Sequence, residues 1–238
     1  MDPQFPSNDP PFPKANRGGQ TRQNKVIIWG AGGHAKVVAD IIRLEDVFEV
    51  AGFLDSVDVE RHGENFCSAK ILGGAEQLEL LREQGVKHAI VAIGDNRARL
   101  RLADNLASAG FELAAAIHPR AIMATDVRIG AGTVIAAGAV LNPGCIIGRS
   151  VIINTAASVD HDCDIGDASH ISPGAHLAGN VTIGSCAWVG LGASIIEKVK
   201  IGNDATVGAG ALVIRNVPSG VVVAGNPASP IQSTSAHR

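Results

Sequence analysis

A histidine stands beside a carboxylate at His161-Asp162, and neither residue belongs to the apolar pattern that runs through the surrounding chain. Imidazole titrates near neutral pH, so a histidine free of packing duties suits removal of a proton from an attacking nucleophile. A second constellation lies towards the N-terminus, in Gly30-Ala31-Gly32-Gly33-His34-Ala35. It fits the loose G-x-G-x-x-G/A spacing, in which glycines let the backbone approach a phosphate and a helix N-terminus supplies N–H groups and a positive dipole. Turn geometry alone is the other account of these glycines. Asp55 ends the next apolar run, where an acidic residue can accept from a ribose or base. His170 and His176 each precede an aliphatic residue, and with His161 they supply the donor type of a zinc site. A packed or interface histidine is the plainer reading of His176.

The elements that must position these residues fall into two grammars. From Lys25 to about His118, strand and helix patterns alternate. Val26 to Trp29, Val50 to Leu54, His88 to Ile93 and Phe111 to Ile117 read as strands. Val37, Val38, Ile41 and Ile42 recur at helical spacing, and Ala75 to Glu83 and Arg97 to Ala109 read as further helices. Alternation of this kind implies a small parallel sheet with helices against it. The unit is roughly half a full dinucleotide fold, which suits a mononucleotide better than NAD.

At Pro119 the grammar changes. From Ile129 to Val213 every sixth residue is a branched aliphatic, and the residue four places after each is small or compact, from Thr133 to Val217. A period of six fits neither a helix nor a free strand; it is the mark of a hexapeptide β-helix, in which three repeats make one triangular coil. The aliphatic fills the prism and the compact residue fits the corner. The period does not determine the hand of the coil, and a left-handed one would run against the usual crossover rule. The expected division is therefore 25–118 for the α/β unit and 119–231 for the β-helix, with unstructured tails at 1–24 and 232–238.

Composition agrees with many thin repeated layers. Of 238 residues, 46% are apolar, 18% charged and 3% aromatic, with 28 glycines. The net charge of −3 gives no reason to expect nucleic acid as a partner. No apolar run approaches the roughly 18 residues that span a bilayer, and no secretory pattern opens the chain, so a cytoplasmic location without a membrane partner is expected. Cys67, Cys145, Cys163 and Cys186 form no CxxC pair and read as unpaired buried thiols.

Three segments carry a family resemblance: Ile27-Ile28-Trp29-Gly30-Ala31-Gly32-Gly33-His34; Asn154 to Cys163, running on to Ile165-Gly166-Asp167 and His170-Ile171; and Val223-Ala224-Gly225-Asn226-Pro227-Ala228. Over roughly Lys25 to Ile231 the chain resembles the hexapeptide acyltransferases of the sialic-acid and bacillosamine/perosamine acetyltransferase family. The resemblance implies a left-handed β-helix, a homotrimer with sites between neighbouring prisms, acetyl-CoA as donor and a nucleotide-linked amino sugar as acceptor. It gives His161 the role of general base and Asp162 that of its acidic partner. Relatives carry Glu at that position, and the shorter Asp reaches a different imidazole nitrogen. It puts Asn154, His170, Leu191 and Ala209 beside acetyl-CoA, and Gly32, Gly33, His34, Asp55, Ser56 and Gly94 beside the nucleotide sugar, with no metal. Lys198, Lys200 and Arg215 read as solvated charge or as partners of the CoA phosphates. Ser229 departs from the family, where a basic residue follows the Gly-x-Pro-Ala segment.

Three other readings remain open at this point. One is O-acetylation of sialic acid by a similar chain. Another is a zinc enzyme of the γ-type carbonic anhydrase kind, which shares the prism. The third is a non-catalytic sugar-nucleotide-binding protein, in which the base would be dispensable.

Overall fold

The computed structural model describes residues 24–231. The tails expected at 1–24 and 232–238 lie outside the described residues, except Asn24, which opens the first strand.

The N-terminal unit runs β1 (Asn24–Trp29), α1 (Gly33–Glu45), β2 (Phe48–Leu54), β3 (Asn65–Phe66), β4 (Ala69–Gly73), α2 (Leu78–Glu83), β5 (His88–Val91), α3 (Asn96–Ser108) and β6 (Glu112–Leu113). The sheet order is β3-β4-β2-β1-β5-β6, parallel throughout except for the β3–β4 hairpin. Its central strand is apolar without alternation because both faces are covered. Val26 and Ile28 pack with Val38, Ile41 and Ile42 of α1. Ile27 and Trp29 face the other way, onto Leu81 of α2 and Ala103 and Leu106 of α3.

Three differences from expectation appear here. The helix expected from Ala75 begins as a 3₁₀ turn, Ala75–Gln77, before α2. The β3–β4 hairpin was not anticipated; Cys67 occupies its turn at φ +50°, so this thiol is exposed rather than buried. The closing strand at Phe111–Ile117 divides. Ala114 N–H bonds Ala89 O in the first sheet, whereas Ala116 N–H bonds Thr133 O in the prism. The short strand β7 (Ala116–Ile117) therefore belongs to the second unit.

From β7 onward the chain winds a left-handed parallel β-helix. Two-residue strands recur from β8 (Ile122–Met123) to β23 (Leu212–Val213), and the hairpin of β24 (Val222–Gly225) and β25 (Ala228–Pro230) ends the stack. One turn takes eighteen residues, the separation of Val134 from its parallel partner Ile152. The first face carries Val134–Ile135, Ile152–Ile153, His170–Ile171 and Trp188–Val189. The second carries Val140–Leu141, Ser158–Val159 and His176–Leu177. The third carries Ile146–Ile147, Asp164–Ile165 and Thr182–Ile183.

The repeat residues line the prism as their spacing implies. Aliphatics from Ile135 to Val213 and compact residues from Ala139 to Val217 form one continuous buried cluster. Each fully buried aliphatic stabilises the stack by about 1.5–3 kcal/mol. Cys145 and Cys163 sit in successive compact slots of that cluster, while Cys186 is half-buried. A further slot accompanies them. Every sixth residue from Gly132 to Gly210 has a left-handed backbone, with φ between +52° and +77°. Glycine takes this conformation freely, and Asn and Asp tolerate it best among the others.

The N-terminal unit docks on the first face and on the corner between the third and first faces. Val134 and Ile152 join the α1 cluster. Arg99 of α3 is fully buried in the joint. Its Nε donates to Ser150 O at 2.8 Å, Nη1 to Ile93 O and Gly94 O, and Nη2 to Asn96 Oδ1, Ala168 O and Ser169 O. Asn96 Nδ2 reaches Cys186 O and Ala187 O one turn further along. At the rim, Arg97 pairs with Asp204, and Arg149 joins Asp104 to Asp167.

Glu45, at the end of α1, accepts Ile117 N–H at 2.9 Å. Burial pushes its carboxyl up to about 7, against the pull of that hydrogen bond. A carboxyl raised in the folded state contributes stability at low pH that is lost as pH climbs from its ordinary value through about 7. Glu45→Gln keeps an acceptor and removes the ionisation. We expect urea melts at pH 5 to agree for the two proteins, and the variant to be more stable at pH 8 by about 1–2 kcal/mol, discounted for partial exposure.

Candidate active site

The His161-Asp162 pair lies at the corner between the second and third faces. Asp162 occupies the left-handed slot at φ +58°. That turn brings its carboxylate back to the preceding ring, and His161 Nδ1 lies 2.8 Å from Asp162 Oδ2. The carboxylate only accepts, so the Nδ1 hydrogen is committed to it and Nε2 keeps a lone pair. Both side chains are more than half exposed. The hydrogen bond to Asp162 raises the imidazole pKa, and the charges of Asp160 and Asp162 act in the same direction. Asp160 Oδ1 accepts His161 N–H at 2.7 Å and Asn142 Nδ2–H at 2.9 Å, which ties the corner to the preceding coil.

Each member of the pair lies over a glycine. A Cβ added to Gly179, one turn on, would sit 2.5 Å from His161 Nε2, and one added to Gly144, one turn back, would sit 2.6 Å from Asp162 Oδ1.

A second cluster lies on the first face and the corner between the first and second faces. His170 stacks on Trp188, and Asn154 Nδ2 lies 3.1 Å from His170 Nε2. Together with Ser172, Pro173, Leu191 and Ala209, these two rings line a largely apolar groove of about 420 Å³. The structure thus brings Asn154, His170, Leu191 and Ala209 together, and places His161 on the opposite edge of the second face. His176 is on that face, exposed, with Ser158 Oγ 2.8 Å from its Nδ1. Lys198, Lys200 and Arg215 are exposed and line neither cleft.

The third cluster is a cleft of about 630 Å³ in the N-terminal unit, between the Gly30–Gly32 turn and the Ala98, Arg101, Leu102 and Asn105 face of α3. Asp55 and Ser56 line it. Asp55 Oδ1 accepts from Val57 N and Asp58 N, which holds the loop after β2. Gly30 has a packing reason to be glycine: its φ is +125°, and a Cβ would meet Ala92 O at 2.6 Å. Gly32, Gly33 and Gly94 have none. Their φ values are ordinary, and an added Cβ would meet nothing within 4 Å. Turn geometry therefore accounts for Gly30 and leaves the other three as open backbone. His34 is not among the residues that line this cleft; its Nε2 is buried, near enough to Arg99 in the joint to feel that guanidinium's charge. Among the described residues, no cluster of three or more His, Cys, Asp or Glu is placed to hold a metal, and no helix is long and apolar enough to cross a membrane.

Comparison with known proteins matches this fold. The PglD N-terminal domain family matches residues 25–106. UDP-N-acetylbacillosamine N-acetyltransferase of Bacillus subtilis (strain 168) is 37% identical over 113 residues, 47% of this chain and 51% of that protein, so the match spans about half its length. PerB from Caulobacter crescentus, solved in complex with CoA and GDP-perosamine, is 42% identical with a TM-score of 0.84, covering 88% of this chain and 98% of PerB. The chain belongs to the sugar N-acetyltransferase family. The acetyltransferase domain of PglB from Neisseria gonorrhoeae FA1090 is 40% identical with a TM-score of 0.81, over 87% of this chain and 100% of that domain.

In this N-acetyltransferase chain, sequence reasoning missed Gly179, Gly144, Asp160 and Arg99. The signal for both glycines was their place eighteen residues from a reactive side chain. Gly179→Ala places a methyl where the His161 ring lies. The φ at 179 is ordinary, so the fold tolerates the change. We expect kcat to fall at least tenfold through displacement of the base, with the melting temperature moved by only a few degrees. Steady-state kinetics beside a thermal melt checks this.

Proposed function

We propose that the chain transfers the acetyl group of acetyl-CoA to the amino group of a nucleotide-linked amino sugar, of the UDP-4-amino-dideoxysugar or GDP-perosamine kind, with His161 as general base. The observation that carries the reading is the commitment of His161 Nδ1 to Asp162, which leaves Nε2 as a free, strengthened base. Acetyl-CoA supplies an activated acyl group. The groove beside His170 and Trp188 fits its narrow pantetheine arm, with Asn154, Leu191 and Ala209 alongside. The cleft at Gly32, Asp55 and Ser56 suits the nucleotide, and the bare backbone at Gly32, Gly33 and Gly94 suits close approach of phosphate or ribose. As the sugar nitrogen forms its bond to the acetyl carbon, its proton passes to His161 Nε2, and Asp162 stabilises the resulting imidazolium; the carbon–sulfur bond then breaks, and the imidazolium returns the proton to the departing thiolate, releasing CoA as its thiol.

A homotrimer completes this reading. The second face presents Ile122, Val140, Ser158, His176, Ser194 and Leu212 outward, with no Lys, Arg, Asp or Glu among them. His161 and the groove lie on its two edges, so one chain keeps base and donor apart. A second copy against that face brings one prism's His161 to its neighbour's groove. Both substrates are products of cytoplasmic metabolism, which supports action there, in glycan biosynthesis.

His161→Ala should lower turnover at least a hundredfold and leave assembly intact, because residue 161 lies outside the prism core. Acetyl transfer is followed as thiol release from acetyl-CoA with UDP- and GDP-linked amino sugars and with free sialic acid. Release with sialic acid alone would overturn the reading, full turnover by the variant would remove His161 from the role of base, and no release by the unaltered protein with any acceptor would leave only a binding protein.

Asp162→Asn removes the carboxylate that raises the imidazole pKa. The acid limb of the kcat/KM profile should therefore move to lower pH while the plateau falls, because a weaker base removes the proton more slowly. An unmoved limb would separate the titration from His161.

A further inference from the structure

His170 projects from the first face, and its ring lies flat on Trp188, with 5.7 Å between centroids and 8° between planes. Trp188 is itself tethered, donating from Nε1 to Ser172 Oγ at 2.7 Å. Asn154 then decides where the imidazole hydrogen sits. Its Oδ1 accepts Thr155 N–H at 2.8 Å, so its Nδ2 amino group faces His170 Nε2 at 3.1 Å. An amide amino group only donates, so Nε2 must offer its lone pair. A neutral imidazole with Nε2 as acceptor carries its hydrogen on Nδ1. Burial, then the Arg99 guanidinium, holds the His170 pKa down at about 3, so the neutral ring is the form in use.

That hydrogen points into the joint between the two units. His170 Nδ1 is buried and makes no hydrogen bond, and the same holds for His34 Nε2. A buried donor left unsatisfied is costly, and so is a buried acceptor. The two rings share one environment. Burial and Arg99 together hold His34 at about 4, and His34 in turn disfavours the charged form of His170. Arg99 Nη2 donates to Ser169 O, the residue before His170, while its Nη1 holds Ile93 O and Gly94 O beside the nucleotide cleft. His34 follows directly on the Gly30–Gly33 turn, so the joint connects the nucleotide cleft to the groove at His170.

We infer that His34 is a positioning residue for His170: its Nε2 accepts, through one bridging water, the hydrogen on His170 Nδ1, and so fixes the Asn154–His170 pair towards acetyl-CoA. The inference rests on the placement of acetyl-CoA beside His170. It gives His34 a task different from direct contact with the nucleotide sugar, and it makes the glycine turn responsive to the state of the cofactor groove.

The test uses the full-length protein with ¹⁵N-labelled histidine. Ring nitrogen shifts should show His170 as the Nδ1–H tautomer, and His34→Ala should remove the hydrogen-bonded shift of that proton. Calorimetric titration with CoA should show a five- to twentyfold loss of affinity in His34→Ala, while KM for the sugar nucleotide changes less than twofold. His34→Gln presents an acceptor at similar reach and should restore CoA affinity to within twofold, which a purely structural defect would not allow. The Nε2–H tautomer in the wild type would overturn the inference. A raised KM for the sugar nucleotide with unchanged CoA affinity would also overturn it, and would return His34 to the substrate. Neither the spectra nor the titration requires turnover. A protein that shows the link and binds CoA but acetylates no sugar would refute the functional reading and leave this one standing.

Discussion

Eighteen residues close one turn of the prism, and each turn bonds the next through its backbone on all three faces. Val134 N–H finds Val151 O on the first face, Val140 N–H finds Ala157 O on the second, and Ile146 N–H finds Cys163 O on the third, each with a further bond beside it. This ladder leaves little choice. Two positions in each hexapeptide must fill the interior, and one must accept a left-handed backbone. Chemistry is confined to the positions that remain, and these point outward from faces and corners. The active side chains are therefore ones the core does not need, held by a scaffold that cannot shift one coil without shifting its neighbours.

The joint between the two units works on a different principle. A guanidinium buried without a carboxylate partner is costly unless its donors are all occupied. Arg99 meets that condition by donating to backbone carbonyls from both sides of the joint, which are themselves fixed by sheet and coil. Burial, reinforced by the Arg99 charge, keeps the imidazoles of His34 and His170 neutral. One side chain thus ties the backbone beside the nucleotide cleft to the coils that carry the groove, and adds to the burial that keeps the rings between them neutral.

Much of the prism was legible in the sequence because its inward positions accept one kind of residue. Ile135, Ile153, Val189 and Val207 share a shape and a spacing, so the period shows through. The left-handed slot was not legible, because Gly132, Ser150, Ala156, Asp162, Asn180 and Lys198 all occupy it. Backbone conformation there is imposed by the ladder, and side-chain type records it poorly. Arg99 hid for a related reason: a basic residue on a helix reads as exposed, and only the tertiary arrangement shows carbonyls closing around it. The split of the last strand, at Ala114 to Ala116, was invisible because local pattern says nothing about which sheet offers a partner. The His161-Asp162 pair was found because both residues break the apolar pattern; Gly179 and Gly144 were not, because an absent side chain matters only to something eighteen residues away.

The same ladder explains why the reactive groups are divided between corners. A prism face is only two residues wide per coil, so no single face offers room for a base, an acyl donor and a nucleotide together. His161 takes one corner, the groove at His170 and Trp188 another, and the nucleotide cleft a separate unit docked on the first face. In the proposed homotrimer their convergence comes from the packing of a second prism against the uncharged second face. On that reading, reaction geometry is set by the same flat-surface packing that sets assembly. The ring lies over Gly179 with its Nε2 nearest the bare backbone, so the position of the base depends on the absence of a side chain one turn on.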